Sequence, residues 1–127
     1  MGGLRKSDIL RGRGAFTTVR TLGKRFNGTL LRVYVRTEPS EVPRTVAGFA
    51  VSHKLCNAVW RNRLRRLMRE AYLREKEILA TRSSERGLDL QIVFQYVGAD
   101  GISYRSLSLN DVHDDLARLC GWVVKRL

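Results

Sequence analysis

Along this 127-residue chain the apolar positions change period several times, and each change marks an element. From Arg13 to Leu22, Phe16, Val19 and Leu22 share one side of a short helix that Gly23 is placed to end. Thr29 to Thr37 then alternates strictly: Leu31, Val33 and Val35 form one face, Arg32, Tyr34 and Arg36 the other, which predicts a strand with one buried side. "EPSEVPR" holds both prolines and reads as a turn, and Thr45 to Ser52 is a second short apolar strand. "LDLQIVFQYV" is apolar on both faces and hence predicted as a central strand. "TRSSERG" before it reads as a polar loop, and a further short strand is expected around Phe26.

Between the second and central strands, Asn57 to Glu77 has helical spacing. At roughly 100° per residue, Trp60, Leu64, Leu67, Met68 and Ala71 fall in one arc, with Tyr72 on its margin. From Leu109 onward, Val112, Leu116, Leu119, Cys120, Val123 and Leu127 mark a closing helix. Ser108 and Asp111 make a capping-box-like start, with acidic residues early and Lys125 and Arg126 late, as the helix dipole prefers. The order α-β-β-β-α-β-α predicts an α+β protein, an α/β sandwich whose helices cover one face of a small sheet. At this length a single domain over 1–127 is expected, with 1–12 as a flexible basic N-terminus.

Hydrophobic residues make up 43% of the chain, enough for a folded core. The net charge of +12 demands an anionic partner, nucleic acid or a membrane surface. That charge is uneven: residues 1–82 hold 19 of the 24 Lys and Arg against six acidic residues. No apolar run approaches the roughly 20 residues that span a bilayer, and the N-terminus has neither a signal-peptide core nor a myristoylation pattern, since Lys6 stands where Ser or Thr is needed. A cytoplasmic protein without a membrane partner is expected, with Cys56 and Cys120 as free thiols. Neither the cysteines nor His53 and His113 have metal-ligand spacing, so no protein metal site and no catalytic nucleophile are expected.

The helix from Asn57 to Glu77 carries seven cations against Glu70, Glu75 and Glu77. Asn62, Arg65, Arg66 and Arg69 point away from its apolar arc, flanked by Arg61, Arg63 and Arg74. Arginine predominates, and its planar fork suits bidentate phosphate contacts. Aromatic Tyr34 between Arg32 and Arg36, with Phe16 nearby, is what stacking of single-stranded bases requires.

"VSHKLCNAVWRNRLRRLMREAY" resembles the signature of the protein subunit of bacterial ribonuclease P. Ser52, Lys54, Ala58, Val59, Arg61, Asn62, Arg63, Arg65, Arg66, Arg69 and Glu70 match in register. The resemblance implies a fold similar to a domain of ribosomal protein S5, a small mixed sheet with a left-handed βαβ crossover. It also implies that Lys54, Arg61, Asn62, Arg63, Arg65, Arg66 and Arg69 bind the catalytic RNA. Phe16, Arg20, Arg32, Tyr34 and Arg36 would line a cleft for the single-stranded 5′ leader of precursor tRNA. Catalysis would belong to the RNA and its Mg2+ ions. Three positions depart from the family pattern: Arg20 replaces a second aromatic, His53 a common Lys, and Cys56 a usual Gly whose loss affects a loop needing positive φ. A ribosomal protein would explain the charge but not the motif. A DNA-binding protein is disfavoured because the helix's apolar arc must pack on the sheet.

Overall fold

The computed structural model describes residues 4–127, and residues 1–3 of the expected N-terminal arm lie outside the described residues. Helix α1 spans Arg13–Leu22 and is followed by strands β1 (Lys24–Asn27), β2 (Leu31–Pro39) and β3 (Thr45–Val51). Helix α2 (Ala58–Glu85), strand β4 (Leu88–Tyr96) and helix α3 (Leu109–Arg126) complete the chain. The sheet order is β1-β2-β4-β3, with β3 parallel to β4 and the other pairs antiparallel. The mixed α+β architecture is the one the sequence predicts. α2 is the crossover joining the adjacent parallel strands, and β4 lies inside the sheet with Ile92, Val93 and Phe94 all buried.

Alternation decides what each sheet face meets. Leu31, Val33 and Val35 of β2 join Ala47, Phe49 and Val51 of β3 and Leu90, Ile92 and Phe94 of β4 in the main core. That core is closed by Leu64, Met68 and Ala71 of α2 and Val112, Leu116 and Leu119 of α3. Phe49, Tyr72 and Phe94 meet ring to ring at 5.7–6.0 Å, so Tyr72 is fully inside the core rather than on its margin. The opposite face holds a second cluster in which Val19 of α1, Val93 and Leu10 are buried, with Phe16 and Tyr34 against them. The helices therefore divide between both faces, correcting the expectation that they share one. Val93, an apolar side chain on the second face of a central strand, needs a cover, and α1 supplies it.

α2 also corrects the reading of "TRSSERG" as a loop, because the helix continues to Glu85. Ser83 is buried; its hydroxyl bonds the Ala80 carbonyl at 3.2 Å and shares a 3.1 Å hydrogen bond with Thr45. Serine normally favours caps and turns because its hydroxyl competes for backbone groups, but inside a helix it can bond back to the preceding turn. The true stop is Gly87, at φ +66°, whose N–H donates to the Ser84 carbonyl. α3 opens with the expected Ser108–Asp111 capping box, and these hydrogen bonds hold the Asp111 carboxyl below its ordinary pKa.

The segment before α1 runs along β3. The Leu10 N–H donates to the Ala47 carbonyl at 2.8 Å, and Asp8 lies 3.5 Å from the Lys76 ammonium. Cys120 is buried in the main core, where desolvation, reinforced by the Glu75 charge, pushes its thiol pKa up and keeps it protonated.

Candidate nucleic-acid interface

Two cationic surfaces lie on opposite sides of the sheet. The first is the outer side of α2. Asn57 caps the helix, its side-chain oxygen accepting the Trp60 N–H at 3.1 Å. The preceding loop is tied by the Lys54 N–H to the Ser52 hydroxyl at 3.2 Å and by Arg61 to the Cys56 carbonyl at 2.7 Å. No non-glycine described residue has positive φ, so Cys56 adopts its loop conformation without that strain. His53 and Lys54 are exposed beside it. On the helix, Asn62, Arg66, Arg69 and Arg74 are exposed, and Arg65 is half-buried with its guanidinium on the Asn62 side-chain oxygen at 2.6 Å.

Among the described residues no arginine of α2 forms an ion pair; Glu75, the natural counter-charge, is held instead by His113 at 2.9 Å. Like charges on one helix face repel, so this surface favours an external anion. Arg63 is placed differently from its neighbours. It turns towards the loop between β4 and α3, donating to the Leu107 carbonyl at 2.9 Å, with its other terminal nitrogen buried and unpartnered. Trp60, expected in the buried arc, is half-buried under that loop, with its ring edge-on to Tyr104 at 5.6 Å.

The second surface is the α1 side of the sheet. Phe16 lies across Gly48 of β3 so closely that a Cβ there would sit 2.6 Å from its ring; glycine makes the seat for this aromatic. Tyr34 is half-buried against the same cluster. Arg32 donates to Asn27 at 2.9 Å. Arg36 donates to Gln91 at 3.2 Å and pairs with Glu38 at 2.7 Å, so its charge is largely compensated. Arg20 stands exposed one turn after Phe16. The register adds a cation that periodicity alone did not single out: Arg25 of β1 lies directly opposite Tyr34 and shares its face. The signal was available in the short strand around Phe26, whose inward aromatic forces its neighbour outward.

Among the described residues no group of three or more His, Cys, Asp or Glu could hold a metal ion, and no helix is long and apolar enough to cross a membrane. The fold and the two surfaces together define a small basic α/β sandwich suited to holding a polyanion. The ribonuclease P family profile matches residues 4–119. The ribonuclease P protein component of Chlorobium phaeobacteroides is 40% identical over 105 residues, covering 75% of this chain and 72% of that protein. That of Lachnoclostridium phytofermentans is 34% identical over 113 residues, covering 89% of each. In structure, the RNase P protein from Thermotoga maritima superposes with a TM-score of 0.70 at 23% identity, covering 94% of this chain and 96% of that one. The Staphylococcus aureus RNase P protein gives 0.65 at 18%, covering 93% and 96%. The chain belongs to the ribonuclease P protein family, and that membership implies a part in the ribonuclease P reaction.

Proposed function

We propose that this chain is the RNA-binding subunit of ribonuclease P, assisting a catalytic RNA in endonucleolytic removal of the 5′ leader from precursor tRNA in the cytoplasm. The observation that carries this reading is the α2 surface, where the arginines of the family motif stand without counter-ions among the described residues. Lys54, Arg61, Asn62, Arg65, Arg66 and Arg69 hold phosphates of the RNase P RNA, and Arg63 supports them from the flank. Phe16, Arg20, Arg32, Tyr34 and Arg36 take the leader, the aromatics stacking bases while the arginines hold the backbone. The reaction requires Mg2+, which supplies hydrolytic chemistry when bound by the RNA; the side chains of the described residues do not form a donor set that fits it. The protein's contribution is to bind and orient the substrate, raising its affinity and that of the metal.

Cleavage of precursor tRNA by a bacterial RNase P RNA at low Mg2+, with and without the protein, tests the assignment. Stimulation with production of a mature 5′ end supports it. Absence of stimulation with a cognate RNA, while RNA binding persists, would move a ribosomal role to first place. Within the cleft, Tyr34→Ala is expected to weaken precursor binding by about 1–3 kcal/mol, the range for loss of one stacked base, while mature tRNA binding stays nearly unchanged. Equal losses for precursor and mature tRNA in a filter-binding titration would refute the cleft assignment.

A further inference from the structure

The loop between β4 and α3 is closed by its own bonds. The Ser103 hydroxyl accepts the Arg105 N–H at 3.1 Å, the Ser106 hydroxyl donates to the Ser103 carbonyl at 3.0 Å, and Arg63 anchors Leu107. The Arg105 side chain is not needed for that closure. It is exposed, and among the described residues its guanidinium makes neither a hydrogen bond nor an ion pair. It lies over two rings at once, 5.8 Å from the Trp60 centroid and 5.7 Å from that of Tyr104, while Arg63 approaches the Trp60 ring to 5.8 Å. Two cations and two aromatics are thus gathered at the first turn of α2, beside Arg61 and the Lys54 loop.

We propose that Trp60, Tyr104 and Arg105 form a second RNA contact at the end of the α2 surface, with Arg105 taking an unpaired nucleotide of the RNase P RNA. The inference rests on the reading of α2 as the surface that holds this RNA. An aromatic partner limits the conformations of an arginine and presents its planar fork with the donors free. A nucleotide satisfies both features, its base stacking on the guanidinium or the adjoining rings and its phosphate accepting the spare N–H groups. A neutral apolar partner would have to desolvate the guanidinium without a counter-charge, which is costly. Arg63 is a positioning residue here, because its bond to Leu107 and its approach to Trp60 keep the loop against the helix.

The test compares Arg105→Ala, Arg105→Lys and Arg66→Ala in binding to a bacterial RNase P RNA transcript over a range of salt, with thermal unfolding measured on each protein. Arg105→Ala is expected to bind about 5- to 20-fold more weakly with unchanged thermal midpoint, and its salt slope to fall by about one. Arg105→Lys should restore the slope but only part of the affinity, since it keeps the charge and loses the plane. Wild-type affinity in Arg105→Ala while Arg66→Ala is weakened would overturn the second contact and leave the α2 surface standing. Wild-type affinity in both variants would overturn the α2 reading and this inference with it. Full rescue by lysine would overturn stacking, and a lowered thermal midpoint with unchanged affinity would reduce Arg105 to a loop lock.

Discussion

Replacing Asp115 with alanine is expected to destabilise the fold by about 2–6 kcal/mol, on the order of 1–3 kcal/mol for each of the two buried backbone donors it would leave without an acceptor. Asp115, in the second turn of α3, is 2% exposed, whereas Asp111 and Asp114 of the same helix face water. One carboxylate oxygen accepts the Thr29 N–H at 2.9 Å; the other accepts those of Leu30 and Leu31, also at 2.9 Å. The first two donors lie in the turn between β1 and β2 and the third opens β2, so a single side chain of α3 satisfies a hairpin some 85 residues earlier in sequence. Alanine would leave the Leu30 and Leu31 donors buried without an acceptor. Arg118, 3.5 Å away and half-exposed, contributes little by comparison. Urea unfolding checks this: the midpoint should drop sharply in Asp115→Ala with the slope unchanged, and barely move in Arg118→Ala. A loss under about 1 kcal/mol, the size of an ordinary hydrogen bond, would mean that water replaces the carboxylate.

The double variant Arg66→Ala/Arg69→Ala is expected to lose about 2–4 kcal/mol of affinity for the RNase P RNA, with the slope of log affinity against log salt falling by about two. Both side chains are exposed and have no ion-pair partner among the described residues, which leaves each to meet a phosphate. For the same reason stability should stay within about 0.5 kcal/mol of wild type, as for surface changes away from structural contacts. Arg65 and Arg61 are less clean probes, because each also holds a protein group, Asn62 and the Cys56 carbonyl. Weaker binding with an unchanged salt slope would show that these arginines are not the phosphate contacts.

Much of this fold is legible in the chain because its signals are local. Strict alternation from Leu31 to Arg36 needs no distant partner to be recognised, and neither does the Ser108–Asp111 cap. The extent of α2 was not legible beyond Glu77. Thr81 to Ser84 have the composition of a loop, and the buried Ser83 is satisfied by Thr45 on β3 together with the Ala80 carbonyl of the preceding turn. Among the candidate site residues, the outward stripe of Asn62, Arg66 and Arg69 follows from helical spacing alone. The inward turn of Arg63 and the bond of Arg36 to Gln91 of β4 do not, because each depends on where another segment lies.

By itself, then, the sequence determined the order and kind of the elements, the dry side of β2, the sign of the partner's charge and the motif that places the chain in its family. These depend on residue type and short-range period, which need no contact between distant segments. Tertiary structure alone decided that α1 covers the sheet face opposite α2, that Gly48 seats Phe16, and that Asp115 serves a distant turn. It also decided which arginines remain free for an anion. Those facts depend on contacts between segments far apart in the chain, where a carboxylate or guanidinium takes its role from the partner that packing brings within about 3 Å.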